Sequence, residues 1–87
     1  MNQIYEAVNA VFAVQHPDIM GNYYVQYYPL NDNGVYVKIR NPNGDRKIEF
    51  EIFPPAGNVP TYIGVMRTKG LRYSQITALM DGLLGYL

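Results

Sequence analysis

Between residues 3 and 15 the apolar side chains fall at Ile4, Ala7, Val8, Val11, Phe12 and Val14, with Gln3, Glu6, Asn9 and Gln15 between them. Steps of three and four residues mark an amphipathic helix rather than a strand. Asn2 stands where an N-cap would accept from first-turn N–H groups, and Glu6 complements the positive end of the helix dipole. Pro17 predicts the end of this helix, because proline drives the preceding residue out of the α region. The polar strip is narrow, so cover on more than one side is expected.

From Asn22 onward the period becomes two, and turn signals appear at Asn33-Gly34, at Pro42-Asn43-Gly44-Asp45 and at Pro54-Pro55-Ala56-Gly57. They bound four runs rich in aromatic and β-branched residues: Tyr23 to Tyr28, Val35 to Arg40, Lys47 to Phe53 and Thr61 to Arg67. From Ser74 to Leu87 helical spacing returns, with Ile76, Leu79, Met80, Leu83 and Leu87 on one stripe and Ser74 at the N-cap position. The expectation is one α+β domain over residues 1–87. It is a two-layer sandwich of order αββββα, a four-stranded antiparallel meander with both helices on one face. Gly82 and Gly85 lie inside the last helix, where glycine costs about 0.5 to 1 kcal/mol relative to alanine, and so point to close helix packing or an early helix end.

A hairpin closed around Asn43-Gly44 sets opposite each other residues whose numbers sum to 87. Ile39 then meets Ile48, Val37 meets Phe50 and Val35 meets Ile52, which is a core face. The other face pairs Lys38 with Glu49 and Tyr36 with Glu51, and leaves Arg40 and Lys47 as opposed like charges. For the first strand two facings are open, Tyr23 with Tyr27 outward or Tyr24 with Tyr28 outward. Either puts two tyrosines on the open face. Tyrosine is both a strand former and an economical interface residue. Tyr23, Tyr27, Tyr36, Lys38, Arg40 and Phe53 form the expected partner-contact set.

Composition narrows the class. A hydrophobic fraction of 48% in 87 residues supports one packed core. Seven basic and seven acidic residues give zero formal charge, which removes the global attraction of a dedicated polyanion binder and leaves room for a local patch. The chain has no cysteine, which excludes disulfides and thiolate metal sites and fits a reducing compartment. No apolar run approaches a membrane span, and the stretch Ala10 to Val14 lacks the basic lead of a signal peptide. The cytoplasm, of a cell or of an infected host cell, is the expected location. No cofactor is expected.

Candidate chemistry is sparse. His16, the one histidine, stands in His16-Pro17-Asp18, which resembles the tripeptide of J-domain co-chaperones. Those domains are wholly helical, and the resemblance ends with the three residues. Ser74 is the only serine and reads as a helix cap, so no nucleophile–histidine pair forms. Glu49 and Glu51 share a strand face opposite Lys38 and Tyr36, without a second ligand set for a metal. Lys69-Gly70-Leu71 followed by Ser74-Gln75 resembles, in element order, a family of single-strand binders that run four strands into a capped helix. An open sheet with tyrosines beside Lys38 and Arg40, and the basic segment holding Arg67, Lys69 and Arg72, make a stacking platform with phosphate contacts, and on this alternative the nucleic-acid contacts are Lys47, Arg67, Lys69 and Arg72. The chain departs from that pattern in its neutral charge, in Glu49 and Glu51 and in its first helix. The expected function is a non-catalytic protein-binding or regulatory module, an inhibitor, adaptor or assembly component of the kind phage genomes encode, acting as a homodimer. Single-stranded nucleic acid is the alternative partner.

Overall fold

The computed structural model describes the backbone of residues 2–87 and the side chains of residues 3–87. The N-cap role expected of Asn2 lies outside the described side chains. The elements are α1 (Asn2–Val8), a π-helical segment (Asn9–Gln15), α2 (Pro17–Met20), β1 (Tyr24–Pro29), β2 (Val35–Arg40), β3 (Lys47–Phe53), β4 (Tyr62–Lys69) and α3 (Tyr73–Tyr86). The strands form one antiparallel sheet in the order β1-β2-β3-β4, so the α+β meander with a helix at each end is the architecture.

The first helix differs from expectation after Val8, where α geometry gives way to π geometry, closed by the His16 N–H on the Val11 carbonyl at 2.9 Å. Hydrophobic spacing does not separate the two forms here. The adjacent apolar pairs Ala7-Val8 and Val11-Phe12, four residues apart, satisfy either turn. Pro17 ends this segment and also opens α2 as its first residue, where a missing N–H costs nothing. The first strand, expected from Tyr23, is thus preceded by a short helix that the spacing did not announce, and its Ile19 and Met20 enter the core.

The core is one cluster. Ile4, Ala7, Val8, Val11 and Phe12 pack with Ile19 and Met20, with Leu79 and Leu83 of α3, and with Val35, Val37, Ile39, Ile48, Phe50 and Ile52 of the two central strands. The Phe12 and Phe50 rings stack with centroids 6.5 Å apart, joining the helical layer to the sheet. Burial of aromatic and branched side chains of this kind is worth about 1.5 to 3 kcal/mol each, so these side chains, and not charge pairs, hold the layers together. The β2–β3 loop is tied down separately. Asn41 Oδ1 accepts from the Arg46 N–H at 2.9 Å, and Arg46 Nη1 donates to the Ile19 carbonyl at 2.7 Å near the end of α2. A cation at a helix C-terminus also meets the negative end of the helix dipole.

Ser74 is not the cap of the last helix. α3 starts at Tyr73, with Arg72 at the cap position two residues before Ser74, and the Arg72 N–H donates to Gln75 Oε1 at 2.9 Å. Ser74 sits in the first turn, where its carbonyl accepts from the Thr77 hydroxyl.

Candidate binding face

The β2–β3 register pairs Val35 with Ile52, Tyr36 with Glu51, Val37 with Phe50, Lys38 with Glu49, Ile39 with Ile48 and Arg40 with Lys47, as the alternation predicts. The face bearing Tyr36, Lys38 and Arg40 is the side of the sheet away from the core. β1 adds Tyr24, Gln26 and Tyr28 to it, opposite Arg40, Lys38 and Tyr36. This corrects the expected contact set. Tyr23 and Tyr27 turn toward the helices and pack against the core, with Tyr23 5.7 Å from the Phe12 ring and Tyr27 4.3 Å from the Tyr5 ring. Burial, together with the neighbouring phenols of Tyr23 and Tyr5, pushes the Tyr27 hydroxyl up to about 12.

β4 completes the face after a bulge between Glu49 and Phe50, where Met66 is the unpaired residue. A bulge shifts the facing of everything beyond it. Tyr62 and Gly64 lie opposite Phe53 and Glu51 before it, and Arg67 and Lys69 lie opposite Glu49 and Lys47 after it. The strand runs two residues past the expected Arg67 and so brings Lys69 into the sheet. Arg72 is outside the sheet, at the head of α3.

Read across the four strands, the open face divides into two ends. At one end the outermost row is Tyr24, Arg40, Lys47 and Lys69, and the next is Gln26, Lys38, Glu49 and Arg67. Five of the seven basic residues of the chain stand here beside a single carboxylate. The Arg40 guanidinium lies 4.4 Å from the centre of the Tyr24 ring, within cation–π range, and also donates to the Pro42 carbonyl at 3.1 Å. A depression of about 500 Å³ opens among Tyr24, Gln26, Lys38, Arg40, Lys47, Glu49 and Arg67.

At the other end stand Tyr28, Tyr36, Phe53 and Tyr62 with Glu51. Two of these rings come close to glycines. The Phe53 ring fills the space that a Cβ on Gly34, in the turn before β2, would need, and a Cβ on Gly64 of β4 would lie 2.8 Å from the Tyr62 hydroxyl. Aromatic rings beside glycines cover backbone that would otherwise be exposed. Phe53 and Tyr62 are themselves neighbours, with centroids 6.1 Å apart. Tyr36 joins the two ends. Its hydroxyl donates to Glu49 Oε1 at 2.8 Å, and this bond, reinforced by partial burial and by the Glu49 charge, raises the phenol above its ordinary value.

Among the described residues no group of three or more His, Cys, Asp or Glu side chains could hold a metal ion, and no helix is long and apolar enough to cross a membrane. Comparison with known proteins finds no family model, no curated protein and no solved structure that matches the chain.

Proposed function

We propose that this chain is a non-catalytic binding module that docks a protein partner on the open face of its sheet. The observation that carries the reading is the division of that face into a cationic end and an aromatic end. A protein surface readily offers an acidic patch beside an apolar one, and such complementarity sets both register and specificity. A polynucleotide brings a phosphate with every base. Bases stacked on Tyr28, Tyr36 and Tyr62 would hold their phosphates near Glu51, with the cations at the far end of the face.

Single-stranded nucleic acid is the second reading, favoured by Tyr24 standing in one row with Arg40, Lys47 and Lys69. Two measurements separate the readings, both made with Tyr36→Ala as control. The first is affinity capture of a protein partner, and the second is titration of labelled single-stranded DNA and RNA at about 50 and 200 mM salt. Capture lost in Tyr36→Ala supports protein docking. Salt-sensitive oligonucleotide binding lost in the same variant replaces it with the second reading.

The absence of cysteine is the ground for placing the module in the cytoplasm. It acts as a homodimer in this reading, and apolar side chains left outside the core, Val65 and Met66 on the edge strand among them, supply the surface.

A further inference from the structure

Within the proposed docking face, we infer that the row Arg40, Lys47 and Lys69, backed by Lys38 and Arg67, is a seat for a carboxylate-rich segment of the protein partner. The inference rests on the docking reading and adds the chemistry of what is docked.

The argument begins with a cost. Arg40 lies directly opposite Lys47, and Lys47 directly opposite Lys69, so three cations occupy adjacent positions on three neighbouring strands. Cross-strand partners stand about 4.5 to 5.5 Å apart, and like charges so placed destabilise the pair. Opposite charges in such a row would stabilise the same strands. Placements that break a local rule with no gain inside the fold are found where function needs them. The cost is not met from within the row. The nearest carboxylate on this face, Glu49, is one row away and already accepts from Tyr36. Arg40 meets the Tyr24 ring and the Pro42 carbonyl, neither of which carries a charge. An anionic ligand laid on the row would turn the repulsion into attraction.

The occupant follows from the extent of the patch. The cations cover the first two rows only, and Glu49 and Glu51 occupy successive positions on β3 along the way to the aromatic end. A ligand with charge at every repeat is favoured over the first rows and repelled beyond them. A peptide segment with two or three acidic side chains, followed by apolar ones, meets cations and then Tyr36, Tyr28 and Tyr62 in the same direction.

The test uses two labelled probes of equal charge, a peptide of three glutamates followed by three leucines and a short oligothymidylate, titrated into the full chain. The peptide is expected to saturate, with affinity falling roughly tenfold between about 50 and 200 mM salt. The double variant K47Q/K69Q is expected to weaken peptide binding by about tenfold or more while the melting temperature of the protein stays level or rises by a few degrees. Failure of the peptide to bind at low salt, oligothymidylate binding more tightly than the peptide, or a melting temperature lowered by K47Q/K69Q would each overturn the inference. The docking reading fails separately. A captured partner that is lost by Tyr36→Ala but kept by K47Q/K69Q leaves docking in place and removes the acidic segment.

Discussion

The Tyr36 hydroxyl donates to Glu49 across the diagonal of the β2–β3 pair, while Glu51 is the residue directly opposite Tyr36. The bond holds the one carboxylate of the cationic end toward the aromatic end and fixes the Tyr36 ring where the two ends meet. Glu49→Gln is expected to bring the Tyr36 phenol down toward its ordinary value, because the carboxylate that favours the protonated phenol is gone. Spectrophotometric titration against a Tyr36→Phe reference checks this. Tyr36→Phe itself is expected to leave stability nearly unchanged, since the lost hydrogen bond is partly solvated. Tyr36→Ala, which removes the ring, is expected to abolish partner capture.

Tyr27 supplies the pH dependence. Its folded-state value is about 12 against 10 in the unfolded chain, so the phenol is neutral in both states below pH 10 and contributes no pH dependence there. As pH rises from 10 through about 12 the unfolded chain loses this proton first, and stability falls across that window. Tyr27→Phe is expected to flatten this part of the profile with little change at neutral pH. Denaturant midpoints measured from pH 9 to 12 on both proteins test it, and equal slopes would remove the assignment to Tyr27.

The β2–β3 half of the face was legible because its alternation is unambiguous: Val35, Val37 and Ile39 against Tyr36, Lys38 and Arg40, closed by an Asn-Gly turn. β1 was not, because tyrosine occurs on both of its faces and gives the two-residue period no contrast. The contrast that does exist, Val25 against Gln26, points Tyr23 and Tyr27 inward and was the available signal. The gathering of five cations was hidden for another reason. Arg67 and Lys69 join Lys38, Arg40 and Lys47 only through the register of β4, which depends on a bulge that leaves no clear mark in the sequence. The π-helical turn was hidden as well, since its apolar pairs fit either helix.

The two glycines of α3 have opposite roles. A Cβ on Gly82 would lie 2.9 Å from Val11 Cγ1 and from Gln15 Oε1, so the absent side chain is what lets α3 approach the π-helical segment. A Cβ on Gly85 meets nothing within 4 Å. Gly82→Ala is expected to destabilise by about 1 to 3 kcal/mol through overpacking, less the gain in helix propensity. Gly85→Ala is expected to stabilise by up to about 1 kcal/mol. Urea denaturation of the two variants side by side gives the signs.

The last prediction concerns the homodimer. β4 is an edge strand, and an edge presents unpaired N–H and C=O groups to any strand that reaches it. The bulge, Arg67 and Lys69 blunt the far half of this edge. The near half carries Val65, which lies opposite Phe50 on the helix side yet remains 42% exposed, and beside it Met66 at 58%. An isologous pairing of two β4 strands would bury both residues twice and extend the sheet, leaving the open face free for the partner. Sedimentation at micromolar concentration is therefore expected to give a species near twice the 9.9 kDa chain mass. Val65→Lys with Met66→Lys is expected to return it to the monomer without loss of fold, since neither residue belongs to the buried core. A 9.9 kDa species in the parent protein would remove the homodimer. A dimer indifferent to both substitutions would move the interface to the helical layer, where Val14 and Leu84 are among the exposed apolar side chains.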